Sequence, residues 1–398
     1  MKILYVIDKI NIGGATDYLF LLALENMTES NVLVACKQNV RNFESIPLNI
    51  SIVLMNGKSI CDLFVQQRFD LIHWFKAEGS ELFDDFCKQM IREDRLIPVV
   101  TTVCQYPREF KQRLTPNEIK YSQKIIFIDK HSLNKKLNNE ILVQRKKMIY
   151  FGTKLSLDIQ TTSSPHEYVL FGRGSSLNKC HPKLINWYHS IGIENKKFCI
   201  VGIGSNAEWL DVEVSKYRLN EFVEIIPHLP YNEWLDKVSS FDIFLYQLPL
   251  DSYSSIDGTM QAAMMYGKPI VYYGPEPPKE LLIHGESGFI AKNKDEFVEY
   301  ATMLANDAEL RLKIGNNARE RLQQYFDWQK TIESYKNIYL EILDLTPTIQ
   351  RLSLIFYANY YYAQLVFKIR VFISKLFSKS FKKYIKIRVS KLNNLISI

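Results

Sequence analysis

Short apolar runs alternate with longer, charged segments along most of the chain. The runs lie at residues 3–7, 31–35, 50–54, 71–74, 97–103, 125–128, 148–150, 168–171, 198–201, 223–226, 243–246 and 270–273. Runs of this length are typical of buried parallel strands, and the charged segments between them are long enough for crossover helices. The alternation predicts α/β architecture with parallel sheets.

One break in this pattern divides the chain. Residues 153–167 have the Ser/Thr/Pro composition of a linker. A chain of 398 residues is also long enough for two domains with separate cores. We predict an N-terminal α/β domain over residues 1–155 and a second α/β domain over residues 166–325. An amphipathic helix follows at residues 326–345, and a tail at residues 346–398.

The stretch from residue 240 to 290 has the clearest organisation. A predicted strand at 243–246 leads through a polar loop to Asp257, Gly258 and Thr259, which open a small-residue helix. Gly267-Lys268-Pro269 ends that helix before the next strand. A loop that enters a helix at the carboxyl end of a parallel strand is where open α/β sheets bind anions. The sequence therefore predicts a ligand-binding turn at residues 257–259.

Glycines follow two other predicted strands. Gly13 and Gly14 follow the first strand, and Gly202 and Gly204 follow the strand at 198–201. Glycine lets the backbone approach a phosphate or a sugar closely. Tight strand-to-helix turns are the alternative, because neither pair forms a complete dinucleotide-binding fingerprint.

Residues 240–290 also resemble the donor-binding region of the family 4 retaining glycosyltransferases, which have the GT-B fold. The segments that carry the resemblance are the helix after Asp257, Tyr266-Gly267-Lys268-Pro269-Ile270-Val271, and Pro278-Lys279-Glu280 with His284-Gly285-Glu286-Ser287-Gly288. The resemblance implies two Rossmann-like domains facing each other across a cleft, with a last helix that returns to the N-terminal, acceptor-binding domain. It also implies retaining, metal-independent transfer from a nucleotide-sugar donor, without a cofactor.

Gly172-Arg173 and Lys179 are similar to a cationic pair of that family. Negative charge grows on the leaving diphosphate as the glycosidic bond breaks, and preorganised cations stabilise it. We predict Arg173 and Lys179 as catalytic residues, with Lys183 as the reserve lysine and a surface ion pair as the alternative. The predicted donor-binding residues are Gly13, Gly14, Gly202, Gly204, Asp257, Gly258, Thr259 and Glu280.

The chain departs from the family pattern at several positions. Ser254 and Ala262 stand where the family has paired glutamates, Cys104 replaces a histidine, and Phe151 replaces an asparagine. Asp251, Asp257 or Gln261 could replace the glutamates, although Asp257 could instead be a helix N-cap. His73, at a strand end that resembles the family, is expected to be structural. These departures support a second hypothesis, a non-catalytic scaffold or partner subunit in glycan assembly.

Charge is distributed unevenly along the chain. The net charge is +7, yet residues 346–398 hold ten basic residues and no acidic one. On a helix, Lys368, Lys375, Lys379, Lys382 and Lys386 would share one face, opposite Ile373, Phe377, Phe381 and Tyr384. This pattern predicts a helix lying on an anionic membrane surface, with a protein partner as the alternative. Basic residues at 107–147 are either a solvated face or a second membrane-facing surface. No nucleic-acid recognition motif is found.

The cellular setting follows from the first strand and the cysteines. The first apolar run meets Asp8 and Lys9, which predicts a strand and not a signal peptide. Six scattered cysteines without metal-ligand spacing favour a reducing cytosol. Together with the activity that the family resemblance implies, these features lead us to expect a hexosyltransferase that is peripheral on the cytoplasmic face of the membrane. It would act on a lipid-linked or glycan acceptor in cell-surface polysaccharide, lipopolysaccharide or glycolipid assembly.

Overall fold

Two α/β domains, each built on one parallel sheet, make up most of the protein. The computed structural model describes residues 1–11, 14–26, 32–40, 46–77, 79, 81–104, 114–134, 143–154, 168–174, 179–202, 208–227, 229–252 and 255–350. The two parallel sheets confirm the predicted fold class. The predicted tail, apart from its first five residues, lies outside the described residues.

The first domain has seven strands in the order β3-β2-β1-β4-β5-β6-β7, all parallel. The strands are β1 Ile3–Ile10, β2 Val32–Asn39, β3 Ile50–Leu54, β4 Leu71–Lys76, β5 Val99–Val103, β6 Lys124–Phe127 and β7 Lys146–Met148. The helices are α1 Gly14–Glu25, α2 Ile60–Gln66, α3 Glu81–Arg92, α4 Pro116–Tyr121 and α5 Lys130–Leu133. Apolar side chains from both faces of the sheet form two large buried clusters and a small third one at β5 and β6, as expected for a sheet covered on both sides.

The second domain has six parallel strands in the order β10-β9-β8-β11-β12-β13. The strands are β8 Val169–Gly174, β9 Lys196–Val201, β10 Val223–Ile226, β11 Ile243–Gln247, β12 Ile270–Tyr273 and β13 Phe289–Ile290. The helices are α6 Leu184–His189, α7 Glu208–Lys216, α8 Tyr231–Ser239, α9 Gly258–Met265, α10 Glu276–Lys279, α11 Lys294–Asn306 and α12 Ala308–Tyr325. The central strands β8 and β11 are adjacent although two strands separate them in sequence, so the chain reverses its winding between them. Open α/β sheets bind ligands at such a switch point.

A last helix, α13 (Trp328–Gln350), returns from the second domain to the first. Trp328, Tyr335 and Tyr339 are buried in the same core cluster as strands β1, β4 and β5. The helix therefore ties the two domains together through apolar contacts. No helix in the described ranges is long and apolar enough to cross a bilayer.

The connection between the domains packs closely on the start of α13. The Thr153 N–H donates to the Phe326 carbonyl at 2.8 Å, and the Thr331 hydroxyl donates to the Tyr150 carbonyl at 3.1 Å. A Cβ on Gly152 would lie 2.4 Å from the Thr331 hydroxyl oxygen, so this approach needs glycine.

Candidate functional site

Arg173 lies near the carboxyl end of the central strand β8 and is fully buried. Its Nη2 donates to the carbonyls of Lys179 at 2.7 Å and Gln247 at 3.3 Å. Its Nε and Nη1 have no hydrogen-bond partner among the described residues. Burying a cation whose nitrogens are only partly hydrogen-bonded is costly, so Arg173 at this position favours a site that receives an anion.

Lys179 provides a second positive charge close to Arg173 in the chain. Its ammonium group lies 3.5 Å from Asp257 Oδ2, and about a third of the side chain is exposed. The structure therefore brings together the two predicted catalytic residues, one through its guanidinium and the other through its backbone carbonyl. Lys183, the reserve candidate, is exposed at the start of α6.

Asp257 is the N-cap of α9 and holds several neighbours together. Its carboxylate accepts hydrogen bonds from the Thr259 N–H at 2.9 Å, the Thr259 hydroxyl at 2.6 Å and the Tyr246 hydroxyl at 2.7 Å. Burial opposes ionisation, but the Lys179 charge and these hydrogen bonds outweigh it and lower the pKa of Asp257. Burial and the charge of Asp257 raise the pKa of Tyr246 to about 12. Asp257 thus remains an anion that caps the helix and positions Lys179; its contact with a donor stays a prediction.

The predicted glycines have different environments. A Cβ built on Gly14 at the start of α1 meets no atom within 4 Å, so this position opens into free space. Gly202, directly after β9, has φ +91°, a left-handed conformation that favours glycine. A Cβ on Gly258 would lie 3.8 Å from the Phe151 ring, at ordinary contact distance. Gly13 and Gly204 lie outside the described residues.

Glu280 forms contacts between the domains. Its carboxylate accepts hydrogen bonds from the N–H groups of Lys130 at 2.9 Å and His131 at 2.8 Å, in α5 of the first domain. The Tyr150 hydroxyl lies 3.3 Å from the same carboxylate. In this arrangement Glu280 stabilises the approach of the two domains, and its predicted contact with the donor stays a prediction.

Other residues that join the domains were not predicted from the sequence. The Asp129 carboxylate, after β6, accepts a hydrogen bond at 2.8 Å from the Ser255 hydroxyl, which follows β11. Together with Glu280, these contacts join segments that follow strand ends in both sheets. The carboxyl edges of the two sheets therefore face each other. Neither residue belongs to a motif, and only the tertiary structure makes the contact visible.

Gln261 forms hydrogen bonds with the segment that connects the domains. Its side-chain N–H donates to the Phe151 carbonyl at 2.6 Å, and its oxygen accepts a hydrogen bond from the Thr153 hydroxyl. Both ends of the amide are thus engaged, which weighs against Gln261 as a replacement for the family's glutamate. Ala262 beside it is buried, and Ser254 lies outside the described residues.

His73 and Cys104 are buried in the core of the first domain. His73 Nδ1 lies 2.8 Å from the Tyr339 hydroxyl and Nε2 lies 2.7 Å from the Thr102 hydroxyl. Burial lowers the pKa of His73 to about 3, so the ring is neutral. Burial likewise raises the pKa of Cys104. Both side chains pack below α13, and the expectation of a structural role for His73 agrees with these contacts.

A second group of buried charges lies at the carboxyl ends of β1 and β4. The Lys76 ammonium group lies 3.0 Å from the Glu118 carboxylate, and both side chains are almost fully buried. Glu118 also accepts a hydrogen bond at 2.6 Å from the Thr115 N–H and so completes a capping box at α4. Burial raises the pKa of nearby Asp8 to about 6, opposed by the Leu82 N–H and the Lys76 charge. Lys76 therefore pairs with the Glu118 carboxylate and also opposes the rise in the pKa of Asp8.

Comparison with known proteins finds a matching family model and relatives for the second domain. Residues 165–321 match the family model described as glycosyl transferases group 1. The second domain is therefore similar to group 1 glycosyltransferase domains. An uncharacterized glycosyltransferase of Methanocaldococcus jannaschii is 26% identical over 149 residues, which are 36% of this chain and 37% of that protein. Trehalose synthase of Pyrococcus horikoshii is 31% identical over 80 residues, 20% of this chain and 19% of the relative. The matched segments thus span about a third or less of these curated relatives.

Solved structures match nearly the whole described chain. HepE of Anabaena in complex with UDP has a TM-score of 0.68 at 17% identity, over 86% of this chain and 100% of that one. The lipopolysaccharide outer core galactosyltransferase WaaB has a TM-score of 0.65 at 12% identity, over 86% and 99%. At these low sequence identities, the similarity is evidence for the fold alone. It confirms the GT-B arrangement of the two domains.

Proposed function

We propose that this protein is a glycosyltransferase that transfers a hexosyl group from a nucleotide-sugar donor to a membrane-anchored glycan or lipid acceptor. The observation that carries the proposal is Arg173 at the switch point of the second sheet, a fully buried cation of which two nitrogens have no hydrogen-bond partner among the described residues. Lys179 lies beside it and is partly exposed. A diphosphate fits this site because its oxygens accept hydrogen bonds and carry the opposite charge.

The proposed reaction is retaining and independent of a metal ion. The bond between the anomeric carbon and the leaving phosphate oxygen breaks, and a bond from an acceptor hydroxyl to the same carbon forms on the same face. The acceptor proton passes to the departing phosphate, so the chemistry needs no dedicated protein base. Arg173 and Lys179 stabilise the charge that develops on the diphosphate, and such electrostatic stabilisation is usually the largest catalytic contribution.

Titration with nucleotides tests this proposal. HepE of Anabaena binds UDP and UDP-glucose, so uridine nucleotides are the first probes. We expect saturable calorimetric binding of UDP, GDP or CMP, or of one of their sugar conjugates, followed by slow release of free sugar from that donor. The absence of binding at millimolar concentration, in a protein that melts cooperatively, would contradict a catalytic role.

A non-catalytic scaffold in a glycan assembly complex is the second candidate. Three features favour it. Ala262 carries no carboxylate, the Gln261 amide is already hydrogen-bonded at the connection between the domains, and Cys104 is buried in the core. Loss of a charge-assisted hydrogen bond weakens binding by about 1.5–3 kcal/mol. This candidate predicts a folded protein that binds no donor and is recovered with other glycan-assembly proteins.

Residues 346–398 are proposed to hold the protein on the cytoplasmic face of the membrane, through basic residues that contact anionic lipid headgroups. Replacing Lys375, Lys379, Lys382 and Lys386 with glutamine should abolish cosedimentation with phosphatidylcholine vesicles containing phosphatidylglycerol. Each basic residue near such a surface contributes about 1 kcal/mol. Vesicles of phosphatidylcholine alone are the control. Undiminished recovery of the variant with anionic vesicles would argue instead for a protein partner.

A further inference from the structure

Gln247, the last residue of β11, has a side-chain amide that forms no hydrogen bond within the part of the chain that the structure describes. The side chain is 1% exposed, and neither Oε1 nor Nε2 has a hydrogen-bond partner among the described residues. The other residues of β11 are Ile243, Phe244, Leu245 and Tyr246. Burying an amide without hydrogen bonds is unfavourable, so its presence in this strand requires an explanation.

The unpartnered amide lies next to the unpartnered guanidinium. The Gln247 carbonyl accepts a hydrogen bond from Arg173 Nη2 at 3.3 Å, and β8 and β11 are neighbouring strands. Within the described ranges, two nitrogens of Arg173 and both polar atoms of the Gln247 amide thus lack hydrogen-bond partners at adjacent strand ends. The nearby Tyr246 hydroxyl donates its proton to Asp257 at 2.7 Å, and among the described residues it forms no hydrogen bond with the Gln247 amide. These four buried polar atoms share the edge of the sheet where α/β proteins bind ligands.

The chemistry of the two side chains indicates different parts of one ligand. A guanidinium only donates hydrogen bonds and is positively charged, so it suits a phosphate. An amide both donates and accepts, and its oxygen would be repelled by a phosphate oxygen. A sugar hydroxyl is a better partner because it donates to Oε1 or accepts from Nε2.

The position of Gln247 favours the sugar over the nucleobase. The segment after β11 reaches the first domain, where the Ser255 hydroxyl donates to Asp129. A transferred sugar has to lie between the donor phosphates and the domain opposite. We propose that Gln247 is a specificity-determining residue that hydrogen-bonds a hydroxyl group of the transferred sugar while Arg173 binds the diphosphate. The inference rests on the proposed function and adds the residue that recognises the sugar.

The test compares nucleotide and sugar-nucleotide affinities in full-length Gln247→Met. Methionine has a similar length and no hydrogen-bonding amide. The probes are UDP, UDP-glucose, UDP-galactose and the corresponding GDP compounds, measured by calorimetry. We expect wild-type affinity for the free nucleotide and a loss of about tenfold in affinity for the sugar conjugate that the wild type binds best. The variant should also discriminate less between sugars that differ in one hydroxyl.

Gln261→Met is the matched control. Gln261 is also a buried glutamine, but both ends of its amide are hydrogen-bonded. Its replacement should lower Tm, whereas Gln247→Met should leave Tm unchanged or raise it, because it removes a buried amide that has no partner. A fall in Tm for Gln247→Met as large as that for Gln261→Met would show a structural role and overturn the proposal.

The remaining outcomes separate the inference from the proposed function. Equal losses for UDP and for its sugar conjugate would place Gln247 at the nucleotide and overturn the proposal. An unchanged affinity ratio between conjugate and nucleotide would also overturn it, while leaving the donor site in place. If the wild type binds none of these probes, the proposed function fails and the inference fails with it.

Discussion

Replacing Arg173 with methionine is expected to abolish donor binding without lowering the stability of the fold. Two guanidinium nitrogens have no partner among the described residues, and the side chain is fully buried. Charge-assisted hydrogen bonds are worth about 1.5–3 kcal/mol each, so the loss of two should weaken nucleotide binding by at least about 100-fold. The variant loses the Nη2 hydrogen bonds to the carbonyls of Lys179 and Gln247, but it no longer buries a cation with two nitrogens that lack partners among the described residues, so these effects should nearly cancel and Tm should change little. Calorimetry with UDP and GDP, beside a thermal melt, measures both effects.

Arg311→Met is the matched control in the same domain. Arg311 Nη1 donates to the carbonyls of Leu304 at 2.8 Å and Ala305 at 2.7 Å, so this arginine stabilises the turn between α11 and α12. Its replacement should lower Tm and leave nucleotide affinity unchanged. The opposite result for Arg173→Met, a large fall in Tm with wild-type affinity, would mean that Arg173 is structural and lies outside the donor site.

Replacing Lys76 with methionine should destabilise the first domain by about 3–5 kcal/mol, because removing one partner of a buried ion pair leaves the other charge uncompensated. Glu118 is fully buried, 3.0 Å from the Lys76 ammonium group, and Asp8 lies near the same cation. Urea unfolding followed by tryptophan fluorescence measures the loss. Lys76→Met/Glu118→Gln should recover much of it, since glutamine is uncharged and can keep the capping-box hydrogen bond.

The stability that Lys76→Met loses should depend on pH in a defined direction. Burial raises the pKa of Asp8 from 3.8 to about 6, and the Lys76 charge opposes this rise. Without Lys76 the pKa of Asp8 should rise above 6, so above about pH 6 the folded variant holds a proton that the folded wild type has released. The part of the stability loss that comes from Asp8 is then largest well above pH 6 and disappears as the pH falls to about 6, because below that value Asp8 is protonated in both folded proteins.

A surface pair provides the comparison for Lys76→Met. Lys88 pairs with Asp85 at 2.8 Å, with both side chains more than 60% exposed. Lys88→Met should cost at most about 1 kcal/mol. A loss of the same small size for Lys76→Met, independent of pH, would contradict the role assigned to the buried pair.

Much of the architecture can be predicted from the sequence because it depends on local patterns. A buried parallel strand needs an apolar run, and runs at 223–226 and 270–273 coincide with β10 and β12. Strand ends in such a sheet lie at one edge, so the position of Arg173 at a strand end already indicated a ligand site. Asp257 could also be predicted as an N-cap, since capping is a contact within one helical turn.

The partners of most polar side chains could be known only from the tertiary structure. Glu280 contacts residues 149 and 150 positions away, and His73 meets Tyr339 across 266 positions. Such pairs depend on how two domains and a returning helix approach each other, which no local pattern specifies. Gln247 also needed the tertiary structure. Its position in the sequence predicts a buried strand end, but only the packing around it shows that its side-chain amide has no hydrogen-bond partner among the described residues.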